Sequence, residues 1–101
     1  KKINNKYFTI FFDKNFDNSR KNKKVLNISF VMKKKIGNAV VRNKIKRRLK
    51  AAVQKFLKEK ESINLNRTYV IFGRNNVYKD KFQHVYYEIS NAFKKINQMK
   101  V

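Results

Sequence analysis

The residues of this chain with the clearest chemical purpose are the cations of the basic segment, residues 33–50, which reads KKKIGNAVVRNKIKRRLK. The basic segment holds nine Lys or Arg in eighteen residues and no acidic residue. Arginine binds a phosphate through two parallel hydrogen bonds, whereas lysine acts as a point charge. Apolar residues such as Ile36, Val41 and Leu49 interrupt the cations, which indicates a folded element rather than a disordered tail. The segment therefore suits the binding of a polyanion by a folded surface.

The whole chain carries the same sign of charge. Its 27 Lys and Arg outnumber its 6 Asp and Glu, for a formal net charge of +21. An excess of this size repels itself in the folded state, so an anionic partner is expected to offset it. Nucleic acid is the default partner, because neutralising several phosphates releases counterions and gives strong binding. The 101 residues, 42% of them hydrophobic, predict one domain over residues 1–101.

Residues that could hydrolyse a phosphodiester bond are scattered. Such hydrolysis by protein side chains usually needs clustered carboxylates that hold two metal ions, or a paired general base. The only histidine is His84, and the chain has no cysteine to join it in a metal site. The sequence therefore predicts no catalytic residue in this chain. The six acids are Asp13, Asp17, Glu59, Glu61, Asp80 and Glu88.

The location of the protein is predicted from what the sequence lacks. The absence of cysteine is compatible with a reducing cytosol. No apolar run approaches the roughly 20 residues needed to cross a bilayer. We therefore expect a cytoplasmic protein with no membrane partner and no small-molecule substrate. Because the first residue is Lys rather than Met, we expect the encoded protein to be longer than this sequence.

The elements that must position the cations follow from hydrophobic periodicity. Between the predicted strands and helices, residues 13–24 are predicted to form a loop, residues 63–66 an interruption and residues 74–79 a turn. The resulting order, β-β-α-β-α, predicts an α+β fold with helices packed on a small sheet. In chain order the predicted elements are a strand at 7–12, a strand at 25–32, a helix from the N-cap Asn38 to about Lys60, a strand at 68–73 and a helix that opens at Asp80.

The central predicted helix separates apolar from cationic residues. Its apolar stripe predicts a buried face, and the opposite face is cationic with like charges one turn apart. The N-terminus of the helix adds free N–H groups that suit a phosphate. The stripe is Val41, Ile45, Leu49, Ala52, Val53 and Phe56, the far side is Asn43, Lys46, Arg47, Lys50 and Gln54, and the flanks are Arg42, Lys44 and Arg48.

Residues 34–47, KKIGNAVVRNKIKR, resemble the signature KKIGNAVxRNRIKR of the protein subunit of bacterial ribonuclease P. The one clear departure is Lys44, where the family usually has Arg. The resemblance implies an αβββαβα fold whose βαβ crossover is left-handed, against the usual rule for parallel strands. Residues 1–5 are too short for the first helix of the family, so we expect that helix to be absent from this sequence.

The resemblance also implies a function. Members of the family assist a catalytic RNA that uses Mg²⁺ to remove the 5′ leader from precursor tRNA. The implied partners are ribonuclease P RNA and precursor tRNA, and the Mg²⁺ belongs to the RNA-containing enzyme. On this basis the chain is a subunit of an endonuclease whose catalytic centre lies in the RNA.

The resemblance further assigns residues to two RNA surfaces. Asn43 is placed near a metal ion in the family. For Tyr7 and Phe11 simple core packing is an alternative to a place in the leader cleft. The residues implied to face the catalytic RNA are Lys34, Lys35, Asn38, Arg42, Asn43, Lys44, Lys46, Arg47 and Lys50, and those implied to line the leader cleft are Tyr7, Thr9 and Phe11.

Two other functions stay open on the composition. A structural RNA-binding protein of the ribosomal type would carry a similar charge. A peripheral membrane protein could use the basic helix, but it would need an apolar face free to insert into lipid. The apolar stripe from Val41 to Phe56 is instead predicted to lie in the core.

Overall fold

Four strands form one mixed sheet in the computed structural model, which describes residues 1–14, 27–59 and 67–98. In space the strands follow the order β1-β2-β4-β3. β1 is antiparallel to β2 and β2 to β4, whereas β3 and β4 are parallel. The strands are β1 (Lys2–Asn4), β2 (Phe8–Lys14), β3 (Asn27–Val31) and β4 (Arg67–Gly73).

The helices include the predicted basic helix. α1 spans Ala39–Lys58, α2 is one turn at Asn76–Lys79, and α3 spans Phe82–Gln98. A 3₁₀ turn at Lys34–Ile36 precedes α1. The side chain of Asn38 accepts a hydrogen bond from the backbone N of Val41 at 3.0 Å, which confirms Asn38 as the N-cap.

One face of the sheet carries the core. Alternate residues of β2 and β4 are buried there beneath α1 and α3, and the predicted apolar stripe of α1 is confirmed by its buried residues. There is no room for a side chain at Gly73, where an added Cβ would lie 2.6 Å from Met32 Sδ and 2.7 Å from Ile45 Cγ2. Glycine at this position lets α1 approach the end of β4. The largest fully buried side chains are Tyr7, Phe8, Ile10, Ile45, Leu49, Phe56, Tyr69, Ile71, Val77, Ile89, Phe93 and Ile96.

The other face of the sheet is partly open. Side chains that alternate with the core residues point to it, and among them Phe11 is 42% exposed. Cross-strand pairing aligns this face in rows: Asn4 lies opposite Thr9, which lies opposite Phe72. Because the register is fixed by the buried side, the identity of the residues on the open side is fixed with it.

The α+β fold is confirmed, and four local expectations are wrong. Residues 74–79 are not only a turn, since they contain α2. Asp80 follows α2 as its C-cap, and α3 begins at Phe82. Residues 13 and 14 continue β2, because they pair with Thr68 and Arg67. Residues 2–4 form the additional strand β1, because Ile3 pairs opposite Ile10.

The connection between the parallel strands is the predicted crossover. The chain leaves β3, passes through the 3₁₀ turn and α1, and returns in β4 beside β3. The left hand of this crossover stays a prediction. The helix predicted to run to about Lys60 ends at Lys58 with Glu59 as its C-cap. The expected loop at 15–24, strand residues 25–26 and the interruption at 63–66 lie outside the described residues.

Candidate nucleic-acid interface

The basic segment forms a cationic face on the outside of α1. We define the cationic face as the exposed cations of residues 34–50, which lie in the 3₁₀ turn and in the first three turns of α1. Asn43 is exposed among them, and Asn38 is also exposed while its side-chain oxygen caps the helix. Side chains three and four residues apart are neighbours on a helix, so these cations form one surface. The members of the cationic face are Lys34, Lys35, Lys44, Lys46, Arg47 and Lys50.

The two flanking arginines are partly withdrawn from this face. Arg42 is half-buried, and its Nε is buried without a hydrogen-bond partner within the described part of the chain. Arg48 is also half-buried, and its Nη1 donates to the carbonyl oxygens of Val77 at 3.0 Å and Asp80 at 2.6 Å. Arg48 therefore uses its guanidinium to hold α2 against α1.

A groove runs over the open face of the sheet to the 3₁₀ turn. Its volume is about 600 Å³. Thr9 and Phe11, two of the three residues predicted for a cleft, line it together with Lys35. The groove therefore begins at the edge of the cationic face. Its lining residues are Lys2, Asn4, Thr9, Phe11, Lys33, Lys35, Ile36, Phe72, Gly73, Arg74 and Asn75.

An aromatic pair lies in this groove. The rings of Phe11 and Phe72 meet edge to face, with centres 5.4 Å apart and planes at 79°. The Nζ of Lys2 lies 5.9 Å from the Phe11 ring centre, and the Nζ of Lys33 lies 5.9 Å from that of Phe72. Aromatic faces stack on bases and flanking cations bind phosphates, so this arrangement suits a single-stranded nucleic acid.

A polar cluster lies beside the aromatic pair. Arg74 Nη2 donates to Asn4 Oδ1 at 2.5 Å and to Thr9 Oγ1 at 2.8 Å, and Thr9 Oγ1 donates to Asn4 Oδ1 at 2.7 Å. The contact with Arg74 explains why Thr9 is only 8% exposed although it lines the groove. The exposed guanidinium of Arg74 is thereby held in a fixed orientation at the groove wall.

Tyr7 does not line the groove, so the expectation of a cleft position is wrong. Its side chain is 1% exposed, and its hydroxyl donates to Asp80 Oδ2 at 2.6 Å. The alternation of β2 does not reach Tyr7, because Asn5 Oδ1 accepts hydrogen bonds from the N–H groups of Tyr7 and Phe8 and turns the chain there.

The Tyr7–Asp80 hydrogen bond changes the acidity of both groups. Burial, followed by the hydrogen bond to Asp80 and its charge, raises the pKa of Tyr7 to about 12. The hydrogen bond from Tyr7 lowers the pKa of Asp80, against a smaller opposing effect of desolvation. Lys6 Nζ also lies 3.7 Å from Asp80 Oδ2. The contact links the β1–β2 turn to the end of α2.

The residues around Asn43 do not fit a Mg²⁺ ion held by this chain alone. Magnesium prefers oxygen ligands, usually with one or two carboxylates. Asn43 offers one exposed amide oxygen, and its neighbours on the helix include Lys46 and Arg47, whose charges repel a metal ion. In residues 1–14, 27–59 and 67–98, no three His, Cys, Asp or Glu come together at one point.

Sequence reasoning missed most of the groove. The patterns of β1 and β4 did not show that Lys2, Asn4, Phe72 and Arg74 meet Thr9 and Phe11, because strand pairing brings them together. A signal was present for Phe72, since it alternates with the buried residues of its own strand. Among the described elements, none is a helix of the length and apolarity that crossing a membrane requires.

An α+β domain with a cationic crossover helix beside an aromatic groove has the architecture expected of a nucleic-acid-binding protein. The sequence profile of the family described as Ribonuclease P matches residues 1–97. The chain belongs to this family, as a protein subunit of the bacterial type.

Solved structures show the same fold. The RNase P protein from Thermotoga maritima, in complex with 1-(4-fluorophenyl)-2-thiourea, is 25% identical with a TM-score of 0.70, over 99% of this chain and 86% of that one. A second structure of the T. maritima protein is 26% identical with a TM-score of 0.68, over 94% and 82%. The Staphylococcus aureus RNase P protein, 20% identical with a TM-score of 0.61 over 97% and 81%, is similar in fold.

Proposed function

We propose that this subunit binds ribonuclease P RNA through the cationic face and the 5′ leader of precursor tRNA through the groove. In doing so it promotes endonucleolytic removal of the leader, which generates the mature 5′ end of the tRNA. The observation that carries the proposal is that the two surfaces share an edge. Lys35 belongs to the cationic face and also lines the groove, so two RNA segments bound there lie side by side.

The cationic face supports binding of a folded RNA. Four of its six charges are exposed on α1, whose other side is buried in the core, so these four keep a fixed spacing. Each phosphate contact is expected to contribute roughly 0.7–0.9 to the slope of log affinity against log salt concentration. The free N–H groups of the first turn of α1 add to the positive potential at that end.

The groove supports binding of an unpaired strand. Phe11 and Phe72 offer ring faces to bases, a contact that tolerates any base sequence. Lys2, Lys33 and Arg74 lie around the rings, where the phosphates of the same strand would pass. A leader held in this groove is connected to the tRNA, so it brings the cleavage site to the RNA bound on the neighbouring cationic face.

The chemical step in this proposal belongs to the RNA. The protein supplies binding and positioning, and its cations reduce the repulsion between the catalytic RNA and its substrate. The Mg²⁺ would be supplied by the RNA-containing enzyme, and an ion near Asn43 would take its ligands chiefly from RNA phosphates. The complex is proposed to act in the cytoplasm.

The proposal is tested by cleavage of precursor tRNA at low Mg²⁺ with RNA alone, protein alone and both. We expect leader removal with both and little with either component alone. Cleavage by the nucleotide-free protein, or no gain when the two are combined, would show the proposal to be wrong. Co-purification then separates the ribosomal alternative, which predicts that the chain follows ribosomal RNA.

A double variant tests the cationic face directly. Lys46→Ala with Arg47→Ala removes two exposed charges from the cationic face, so we expect weaker binding to ribonuclease P RNA and a salt slope lower by roughly 1.5. The matched control, Lys94→Ala with Lys95→Ala, removes two exposed lysines from α3. Equal losses in the two variants would mean that only net charge matters and that the cationic face has no specific role.

A further inference from the structure

Tyr78 is an exposed aromatic residue at the edge of the cationic face. It lies in α2 and is 40% exposed, although its neighbour Val77 is fully buried. The Nζ of Lys44, a member of the cationic face, lies 5.5 Å from the centre of the Tyr78 ring. An aromatic ring therefore stands beside a cation on the surface proposed to contact RNA.

Arg48 fixes the backbone on both sides of this ring. Its Nη1 donates to the carbonyl oxygens of Val77 and Asp80, the residues that precede and follow the Tyr78–Lys79 pair. Arg48 lies four residues after Lys44, so the same flank of α1 carries the cation and holds the turn. At the other end of α2, Asn76 Nδ2 donates to the carbonyl oxygen of Lys6 at 3.0 Å. The position of Tyr78 is thus set before any partner binds, which reduces the entropy cost of binding.

The surroundings of Tyr78 favour an anionic partner. Lys79 and Lys81 are exposed beside it. The nearby carboxylate of Asp80 already accepts the hydroxyl of Tyr7 and lies 3.7 Å from Lys6 Nζ. A contact between Lys44 and Tyr78 that served only the fold would not need an exposed ring. A ring surrounded by lysines matches a nucleotide, whose base stacks and whose phosphate is bound by a cation.

We propose that Tyr78 and Lys44 form a nucleotide site at the edge of the cationic face. In this site the Tyr78 ring stacks on an unpaired base of ribonuclease P RNA, and Lys44 binds an adjacent phosphate. Arg48 is a positioning residue that keeps Tyr78 in place through the backbone of α2. The inference rests on the proposed function, because it adds a residue to the contact with the RNA partner named there.

The site is tested by titrating labelled ribonuclease P RNA from the same genome with the full chain at several KCl concentrations. Tyr78→Ala and Tyr78→Leu are each expected to weaken binding by about fivefold or more, with an unchanged salt slope, because stacking releases no counterion. Tyr78→Phe keeps the ring and is expected to bind as the wild type does. Tyr87→Ala is the matched control, since Tyr87 is 62% exposed on α3.

Arg48→Leu separates positioning from direct contact. If Arg48 only positions Tyr78, Arg48→Leu is expected to weaken RNA binding as much as Tyr78→Ala does and to leave the salt slope unchanged. The Arg48→Leu, Tyr78→Ala double variant is then expected to bind no more weakly than either single variant, because both remove one contact. A salt slope lower by roughly 0.7–0.9 would instead mean that Arg48 binds a phosphate itself, and this would overturn its assigned role.

The outcomes distinguish this site from the proposed function. If Tyr78→Ala binds as tightly as Tyr87→Ala, or if Tyr78→Leu binds like the wild type, the stacking site is wrong. The proposed function still stands in that case, provided that the Lys46→Ala, Arg47→Ala variant is weakened. If the wild type does not bind the RNA, both proposals are overturned. Circular dichroism of each variant checks that a loss of affinity is not caused by unfolding.

Discussion

The cationic face and the groove lie side by side but are built in different ways. Most of the cationic face comes from α1, and its members lie within residues 34–50. The groove takes residues from β1, β2, β4 and the 3₁₀ turn, and its key contacts join residues far apart in the chain. The difference teaches that charge can be concentrated by local sequence, whereas the aromatic groove requires the pairing of three strands.

The largest expected effect comes from breaking the support that both regions share. Leu49→Ala removes a fully buried side chain of α1, and we expect the free energy of unfolding to fall by about 2–5 kcal/mol. The neighbouring Lys50→Ala, on the exposed face, is expected to change it by less than about 0.5 kcal/mol while weakening RNA binding. Urea unfolding measures both. A loss at Lys50 as large as that at Leu49 would contradict the assignment of the two faces of α1.

The next largest effect is expected where the groove residue Gly73 packs against the buried side of α1. Gly73→Ala places a Cβ against Met32 and Ile45, so α1 must shift or the side chains must repack. We expect a loss of about 1–3 kcal/mol in the free energy of unfolding. Because Gly73 also lines the groove, we expect the difference in cleavage between long-leader and short-leader substrates to become smaller. Ser29→Ala, an exposed substitution on β3, is the control. Full stability of Gly73→Ala would mean that the close packing at Gly73 is not required.

A smaller effect is expected in the groove alone. Phe11→Ala removes one ring of the aromatic pair, so a precursor tRNA with a long leader should bind more weakly by about 1 kcal/mol, roughly fivefold. Binding of ribonuclease P RNA without substrate should not change. Competition binding with long-leader and short-leader substrates measures this, and Phe11→Tyr is the variant that retains a ring. An equal loss of affinity for the short-leader substrate would show that Phe11 does not bind the leader.

The smallest effect concerns pH and the link between the β1–β2 turn and α2. The pKa of Asp80 is lowered from 3.8. The hydrogen bond that Asp80 accepts from Tyr7 therefore stabilises the fold above that pH, and this stabilisation is lost as pH falls through the lowered value. The pKa of Tyr7 is raised from 10.0 to about 12, so its contribution is complete below pH 10.0 and is lost as pH rises towards 12.

Thermal unfolding of Tyr7→Phe checks this window. The difference in melting temperature between the wild type and Tyr7→Phe should be largest between these limits and should shrink at both ends. Tyr87→Phe, at an exposed position, should track the wild type at every pH. A constant difference between wild type and Tyr7→Phe would show that the hydroxyl does not titrate with the fold.

Much of the fold followed from local pattern. The period of Ile45, Leu49, Val53 and Phe56 predicted the buried side of α1 and, by exclusion, its cationic side. Asn38 was predicted as the N-cap because its side chain satisfies a free N–H within three residues, a contact that needs no other element. By contrast, β1 was not predicted, since three residues carry too little periodicity and the strand exists through its pairing with β2.

The residues of the candidate site were also predicted only in part. The exposed cations of α1 were predicted. Tyr7 was assigned to a cleft from the family resemblance, as one of the alternate residues of the first strand. The turn at Asn5 makes β2, and its alternation, begin at Phe8, one residue after Tyr7. Arg48 looked like one more cation of the helix flank. Only the approach of α2 showed that its charge is used inside the protein.

The sequence by itself determined the sign of the charge, its concentration on one helix and the face of that helix that is buried. These are local properties, because a helix places residues by a period of 3.6 and exposed Lys and Arg side chains are charged at neutral pH. The tertiary structure decided that Phe11 meets Phe72, that Arg74 meets Thr9 and that Tyr78 stands beside Lys44. Those contacts depend on strand register and on the packing of α2, which bring together residues that no spacing along the chain relates.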